Sequence, residues 1–251
     1  MMLLLDIGNT RVKWATLQRG QLSTGLPMQH RGQPLPSLWD TLWHDLPAPQ
    51  RLVVASVAPP EVNASLLAWA SSRWAITPEF ASSAAQACGV INGYRQPEKL
   101  GVDRWLALIG ARQLPRGRPL CVIDCGTALT VDILATDGMH LGGWISPGLD
   151  MMRQELLQGA ALLSCAMDEM AVTQHGFGRT TTEALLIGTE QAAAGLVTRA
   201  LLLTQNLLGE VPVCVITGGG AEMLLQLLPP DTLIVSDLVL RGLAALMKHQ
   251  E

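Results

Sequence analysis

The chain has 251 residues, 49% of them hydrophobic and 15% charged, with a formal net charge of −4. This is enough apolar material for one large core or two small ones, and the scattered Lys and Arg offer no basic stripe to a nucleic-acid backbone. The five cysteines (Cys88, Cys121, Cys125, Cys165, Cys214) are odd in number and lack C-x-x-C spacing, which argues against a disulfide framework or structural zinc and for reduced thiols in a cytoplasmic protein.

In chain order, the first predicted strand, 2–6, stops at Asp6, turns through Gly8-Asn9-Thr10 and resumes as an alternating strand over 11–17 that carries Lys13. The leading Met-Met-Leu-Leu-Leu reaches Asp6 too soon for a secretory core. No later run supplies the roughly 18–20 apolar residues of a membrane span, so neither export nor a membrane partner is expected. Residues 18–50, rich in Gly, Pro and Gln, read as irregular connection with one short helix around Trp39 and Trp43. A strand at 51–57 and helices at 61–74 and 101–113 follow, then strands at 119–124, 129–135 and 140–145. Helices at 149–163 and 181–208, a strand at 212–217, a helix at 219–228, a strand at 232–236 and a helix at 237–248 complete an α/β pattern.

One internal similarity bears on architecture. LLLDIGNTRVKWATL (3–17) is echoed by CVIDCGTALTVDIL (121–134), Asp6 matching Asp124 and Gly8 matching Gly126. Each copy reads as apolar strand, Asp, x, Gly, Thr-containing turn, second strand. The repeat predicts a duplicated domain, 1–114 and 115–251, with the two acidic turns facing one another across a cleft.

A glycine in such a turn lets backbone N–H groups approach a ligand closely, and adjacent Asn and Thr side chains add donors, which suits phosphate. An Asp ending the preceding strand repels phosphate unless a cation lies between them. The pair of turns therefore predicts metal-assisted handling of a polyphosphate, with Lys13 neutralising developing charge. An ordinary β-hairpin accounts for the glycine of either turn alone, but does not require a strand-end Asp in both. A third element, VITGGGAEMLLQLL (215–228), runs strand, Gly218-Gly219-Gly220, helix, and reads either as an anion or adenine contact or as a tight connection. No GxxxxGK[ST] occurs, which removes the P-loop route to ATP.

These three elements together resemble the actin, Hsp70 and sugar-kinase superfamily. More closely, DIGNTRVK (6–13), GYRQPEKLGVDRW (93–105), DCGTALTVD (124–132), GGWISPGL (142–149) and TTEALLIG (181–188) resemble, in order, the type III pantothenate kinases. The resemblance implies duplicated actin-like (ribonuclease H-like) ATPase domains with a nucleotide cleft. It further implies ATP-dependent phosphorylation of pantothenate, the first step toward coenzyme A.

Carried over by position, it makes Asp6, Ile7, Gly8, Asn9, Thr10, Arg11, Val12 and Lys13 the first ATP-phosphate segment and Thr127 a further ATP contact. Tyr94, Gly101, Val102, Asp103, Arg104 and Thr181 become the pantothenate contacts, with Asp103 the proton acceptor. Asp124 becomes the site of a monovalent cation, K+ or NH4+, and Asp6 a ligand to Mg2+ directly or through water. Family members often carry Asn before the residue matching Thr181, whereas this chain has Thr180. Thr180–Thr182 also suit the N-cap of the following helix.

Phosphoryl transfer to an alcohol needs a carboxylate near the hydroxyl, an in-line γ-phosphate and cations, and GVDRW supplies the carboxylate. Arg104 beside it can pair with a substrate carboxylate. Residues 184–203 are apolar on more than one face, which requires burial, and with the resemblance they imply a homodimer. His30, His44, His140, His175 and His249 show no ligand spacing and receive no catalytic role. Two other readings stay open: a nucleotide-binding regulator of the same fold, and a kinase or phosphatase acting on another small acid.

Overall fold

The computed structural model describes residues 1–114, 117–159 and 176–250; Cys165, His175 and the end of the helix expected over 149–163 lie outside them. The chain divides into two units, one of Met1–Pro115, Gly138–His140 and Asp237–Glu251, the other of Arg116–Asp137 and Leu141–Ser236. The sequence assigns 237–251 to the second half, but in the structure this segment packs with the first.

The first unit is built on a mixed sheet of β1 (Met2–Ile7), β2 (Arg11–Gln18), β3 (Gln21–Thr24), β4 (Met28–Gln29), β5 (Arg51–Ser56) and β6 (Glu79–Phe80), in the order β3-β2-β1-β5-β6 with β4 also on β2. β1 pairs antiparallel with β2 and parallel with β5. Because side chains alternate along a strand, Leu3, Leu5 and Ile7 enter one core with Leu52 and Val54, while Asp6 faces the other way. Helices α1 (Leu35–Trp43) and α2 (Pro60–Trp74) cover that core. Proline in the first turn of each fits a helix start, where its missing N–H costs nothing. Trp39 and Trp43 stack at 5.6 Å within it, and Trp69 donates Nε1–H to Asp40 at 2.8 Å.

The opposite face carries α3 (Val102–Arg112) against β5 and α7 (Leu238–Gln250) against β1 and β2. These two helices cross in close contact, since a Cβ at Gly110 would strike the Leu238 carbonyl and one at Gly242 the Leu106 carbonyl. A small hairpin, β7 (Gln86–Ala87) and β8 (Val90–Ile91), precedes the single-turn helix Pro97–Lys99. The stretch read as irregular, 18–50, contains β3 and β4. β3 is a short edge strand with mostly exposed polar residues and β4 has only two residues, so backbone pairing forms them without an apolar alternation to announce them.

The second unit repeats the plan. Its strands β9 (Leu120–Cys125), β10 (Ala128–Leu134), β11 (His140–Pro147), β12 (Val213–Thr217) and β13 (Leu233–Ile234) run in the order β11-β10-β9-β12-β13. Again the first hairpin is antiparallel and the next two pairings parallel. Cys121, Ile123 and Cys125 face a core with α4 (Leu149–Gly159), α5 (Thr181–Leu208) and α6 (Ala221–Leu225), which turns Asp124 to the other face. α4 is braced to α5 by Arg153, which donates to Thr189 Oγ1 at 3.0 Å and Glu190 Oε1 at 2.9 Å. Among the described residues no helix is long and apolar enough to cross a membrane.

Candidate active site

The first turn closes between Ile7 and Val12, the last cross-strand pair, and Asp6 stands directly opposite Lys13. Opposite charges so placed on adjacent strands attract. They lie on the sheet face that α3 and α7 cover. Gly8 donates its N–H to the Arg11 carbonyl at 3.0 Å, folding Gly8-Asn9-Thr10 outward, and Asn9 and Arg11 are exposed at its tip. The turn is buttressed from behind by His30, only 4% exposed, whose Nε2 lies 2.8 Å from the Gly8 carbonyl oxygen. A carbonyl only accepts, so Nε2 carries the proton. The His30 N–H donates to the Thr10 carbonyl at 3.0 Å, fixing the turn at a second point.

The second turn is one residue shorter: Cys125 pairs with Leu129, and Asp124 faces Thr130 where the first turn has Lys13. Gly126 donates to the Ala128 carbonyl at 3.0 Å, and the Thr127 carbonyl accepts from Gly148 at 3.0 Å. Asp124 is half-buried and Thr127 exposed. The glycine triplet lies against this same strand end. Gly218 has φ +95°, and a Cβ there would strike the Cys125 carbonyl and the Asp124 carboxylate, while Gly220 donates its N–H to the Cys125 carbonyl at 2.9 Å. Close approach to the Asp124–Cys125 strand end thus accounts for Gly218 and Gly220, whereas a Cβ at Gly219 would meet nothing within 4 Å. The buried Cys125 thiol is pushed up to about 12, first by burial and then by the Asp124 and Asp150 carboxylates.

Tyr94, Gly101, Val102, Asp103 and Arg104 come together at the start of α3 in the first unit. Gly101 is the N-cap, its carbonyl accepting the Trp105 N–H at 2.9 Å. Asp103 sits in the first turn, where the helix dipole favours an anion, and its Oδ1 accepts the Arg104 N–H at 2.7 Å. Arg104 is 6% exposed, an unusual degree of burial for a guanidinium, and donates from Nη1 to the Tyr94 hydroxyl at 2.7 Å. The loop before the helix is tied down by Asn92, whose amide donates to the Ala84 and Pro97 carbonyls at 3.1 Å and whose Oδ1 accepts the Tyr94 N–H at 3.1 Å.

Thr181 stands exposed in the first turn of α5, whose N-cap is Thr180; the Thr180 hydroxyl accepts the Glu183 N–H at 3.2 Å. The expected capping role therefore falls on Thr180. Among the described residues no three His, Cys, Asp or Glu side chains converge on a point. A single carboxylate in each turn fits a cation shared with phosphate or water, not an all-protein cage. Two histidines that spacing passes over touch the site residues: His30 under the first turn, and His140, stacked on Tyr94 with ring centroids 5.9 Å apart. Neither works as a ligand set, so motif spacing carries no signal for them.

Two mixed sheets of identical order, each with an acidic hairpin turn, define the fold of the actin-like ATPases and sugar kinases. The chain superposes on a structure described as a Baf family transcriptional activator from Campylobacter jejuni with a TM-score of 0.64 at 18% identity, covering 99% of this chain and 98% of that one. It superposes on one described as a 2-dehydro-3-deoxygalactonokinase from Sinorhizobium meliloti with a TM-score of 0.61 at 15% identity, covering 99% and 98%. The type III pantothenate kinase model matches residues 2–202. A type III pantothenate kinase from Nitrosococcus oceani is 38% identical over 99% of this chain and 94% of its own length. The chain belongs to the type III pantothenate kinase family.

Proposed function

We propose that this protein transfers the γ-phosphoryl group of ATP to the primary alcohol of pantothenate, giving 4'-phosphopantothenate and ADP as the first step toward coenzyme A. Family membership supports the reaction, and one observation carries the assignment of roles: Asp103 shares the first turn of α3 with a buried Arg104 that is held by Tyr94. In this reading Asp103 accepts the hydroxyl proton as the alcohol oxygen bonds to phosphorus and the bond to the ADP oxygen breaks. Arg104 and Tyr94 hold the acid, with Gly101, Val102 and Thr181 lining its site. Asp6–Lys13 take the ATP phosphates, Lys13 offsetting their charge, and Thr127 is a further ATP contact.

Mg2+ held through Asp6 or its water, and K+ or NH4+ held at Asp124, would supply the charge neutralisation that in-line transfer needs. The cytoplasm provides ATP and keeps the thiols reduced. A homodimer is supported by the apolar residues that the end of α5 and the following loop leave exposed, including Leu202 at 51% and Leu207 at 67%. Size-exclusion chromatography with light scattering should give twice the chain mass.

The deciding experiment is an ADP-release assay on purified protein with pantothenate, with and without K+, and with mass spectrometry of the product. ADP formed in step with 4'-phosphopantothenate, and stimulated by K+, is the expected result. ATP binding without turnover would instead favour a nucleotide-binding regulator. Turnover only with a different hydroxy acid would move the substrate assignment.

A further inference from the structure

We propose that His140 is a positioning residue for substrate binding: its ring holds the Tyr94 side chain in place, and through the Tyr94 hydroxyl the place of the Arg104 guanidinium. The inference rests on the reading of Tyr94 and Arg104 as pantothenate contacts.

His140 is 1% exposed and is offset-stacked on Tyr94, the ring planes inclined by 16° and the centroids 5.9 Å apart. The edge of Tyr94 is engaged as well, its hydroxyl accepting from Arg104 Nη1 at 2.7 Å, with the guanidinium carbon 5.6 Å from the ring centroid. The Tyr94 hydroxyl lies on the axis of the second torsion, so rotation about the first torsion, between staggered wells, is what would carry it away from Arg104, and a ring packed against its face opposes that motion. A stacked imidazole does that without using the hydroxyl, which stays available to Arg104. The order His140, Tyr94, Arg104 thus runs from a buried ring to a buried cation.

The way His140 arrives supports a built contact. Gly138–His140 belong to the first unit although the chain on either side belongs to the second. Ile91 donates its N–H to the Gly138 carbonyl at 2.9 Å, and Ile91 and Met139 form a parallel bridge. Gly138 has φ +93°, and a Cβ there would collide with the Gly89 carbonyl, so the segment lies closer to the β7–β8 hairpin than a larger residue permits. That hairpin leads directly into Asn92 and Tyr94. One backbone clamp therefore sets both rings of the stack.

The test measures KM for pantothenate and for ATP, kcat and thermal midpoint for wild type, His140→Ala, His140→Leu, His140→Phe and Arg104→Ala. Loss of the ring in His140→Ala should raise the pantothenate KM about tenfold and leave the ATP KM within twofold. His140→Phe, which restores a flat ring, should recover most of that loss. His140→Leu keeps volume without a ring and carries the same comparison if the alanine variant does not fold. The proposal is overturned if the ring-less variants keep the wild-type pantothenate KM, if both KM values rise together, or if Phe is as impaired as Leu. Arg104→Ala separates the two readings. An unchanged pantothenate KM there removes the substrate assignment and this inference with it, whereas a raised KM beside unaffected His140 variants removes this inference alone.

Discussion

As the proposed general base, Asp103 answers to two demands that a single substitution can separate. A carboxylate in a helix's first turn stabilises the helix by about 0.3–1 kcal/mol through the macrodipole, whereas a general base contributes about 10²–10⁴ in rate. Asp103→Asn keeps an oxygen for the Arg104 N–H but accepts no proton. We therefore expect kcat to fall at least 100-fold, on the scale set for a lost general base, with little change in thermal midpoint or pantothenate KM. Steady-state kinetics beside a melting curve check this, and near-normal turnover would take Asp103 out of the mechanism. Lys13, opposite Asp6, is the charged position that the second turn replaces with Thr130. Lys13→Met should lower kcat/KM for ATP by about tenfold or more, the scale of one charge-assisted contact. Pantothenate KM should hold, which initial-rate kinetics with each substrate varied will read.

At the same scale, the Cys125 thiol, raised to about 12 from an ordinary value of 9.0, has a signed consequence. The folded state keeps this proton at pH values where the unfolded chain has lost it. Its contribution is thus unchanged below pH 9.0 and falls as pH rises from there toward about 12. Native protein at pH 8 should resist alkylation at Cys125 and react fully once denatured, as peptide mapping by mass spectrometry will read. Rapid native labelling would contradict the burial.

Among the elements, the crossing of α3 and α7 reverses an ordinary rule. Gly→Ala inside a helix normally stabilises by about 1 kcal/mol, but a methyl at Gly242 runs into the Leu106 backbone carbonyl. Overpacking typically costs about 1–3 kcal/mol, so the packing effect wins and Gly242→Ala should lower the urea midpoint. Since α3 carries Asp103 and Arg104, activity should fall with it. The N-cap of α5 offers a simpler case. Thr180→Ala removes the acceptor of the Glu183 N–H and should cost about 1 kcal/mol in equilibrium unfolding. Much at this level is legible in sequence: the strand-Asp-turn-strand pattern appears at both turns, and Thr180–Thr182 reads as a cap. Short edge strands such as β3 and β8 are not, because pairing to a neighbour holds them and their own side chains show no periodicity.

On the scale of the whole molecule, the two sheets share one order and one pattern of parallel and antiparallel neighbours, as the echo of residues 3–17 in 121–134 implies. The C-terminal helix departs from that simple halving. Leu238, Val239, Leu240, Leu243 and Met247 are all buried in the first unit, so truncation after residue 236 uncovers α3 and one face of its sheet. With each such side chain contributing about 1.5–3 kcal/mol, the truncated protein should lose soluble expression or its cooperative melt. Residue order alone carries the chemical groups and the family: the two Asp-x-Gly turns and the Gly-x-Asp-Arg block are local patterns. Folding decides which groups meet. That His140 lies on Tyr94, that His30 supports Gly8 and that residues 237–251 return to the first unit depend on contacts between segments far apart in the chain, and no local periodicity encodes those.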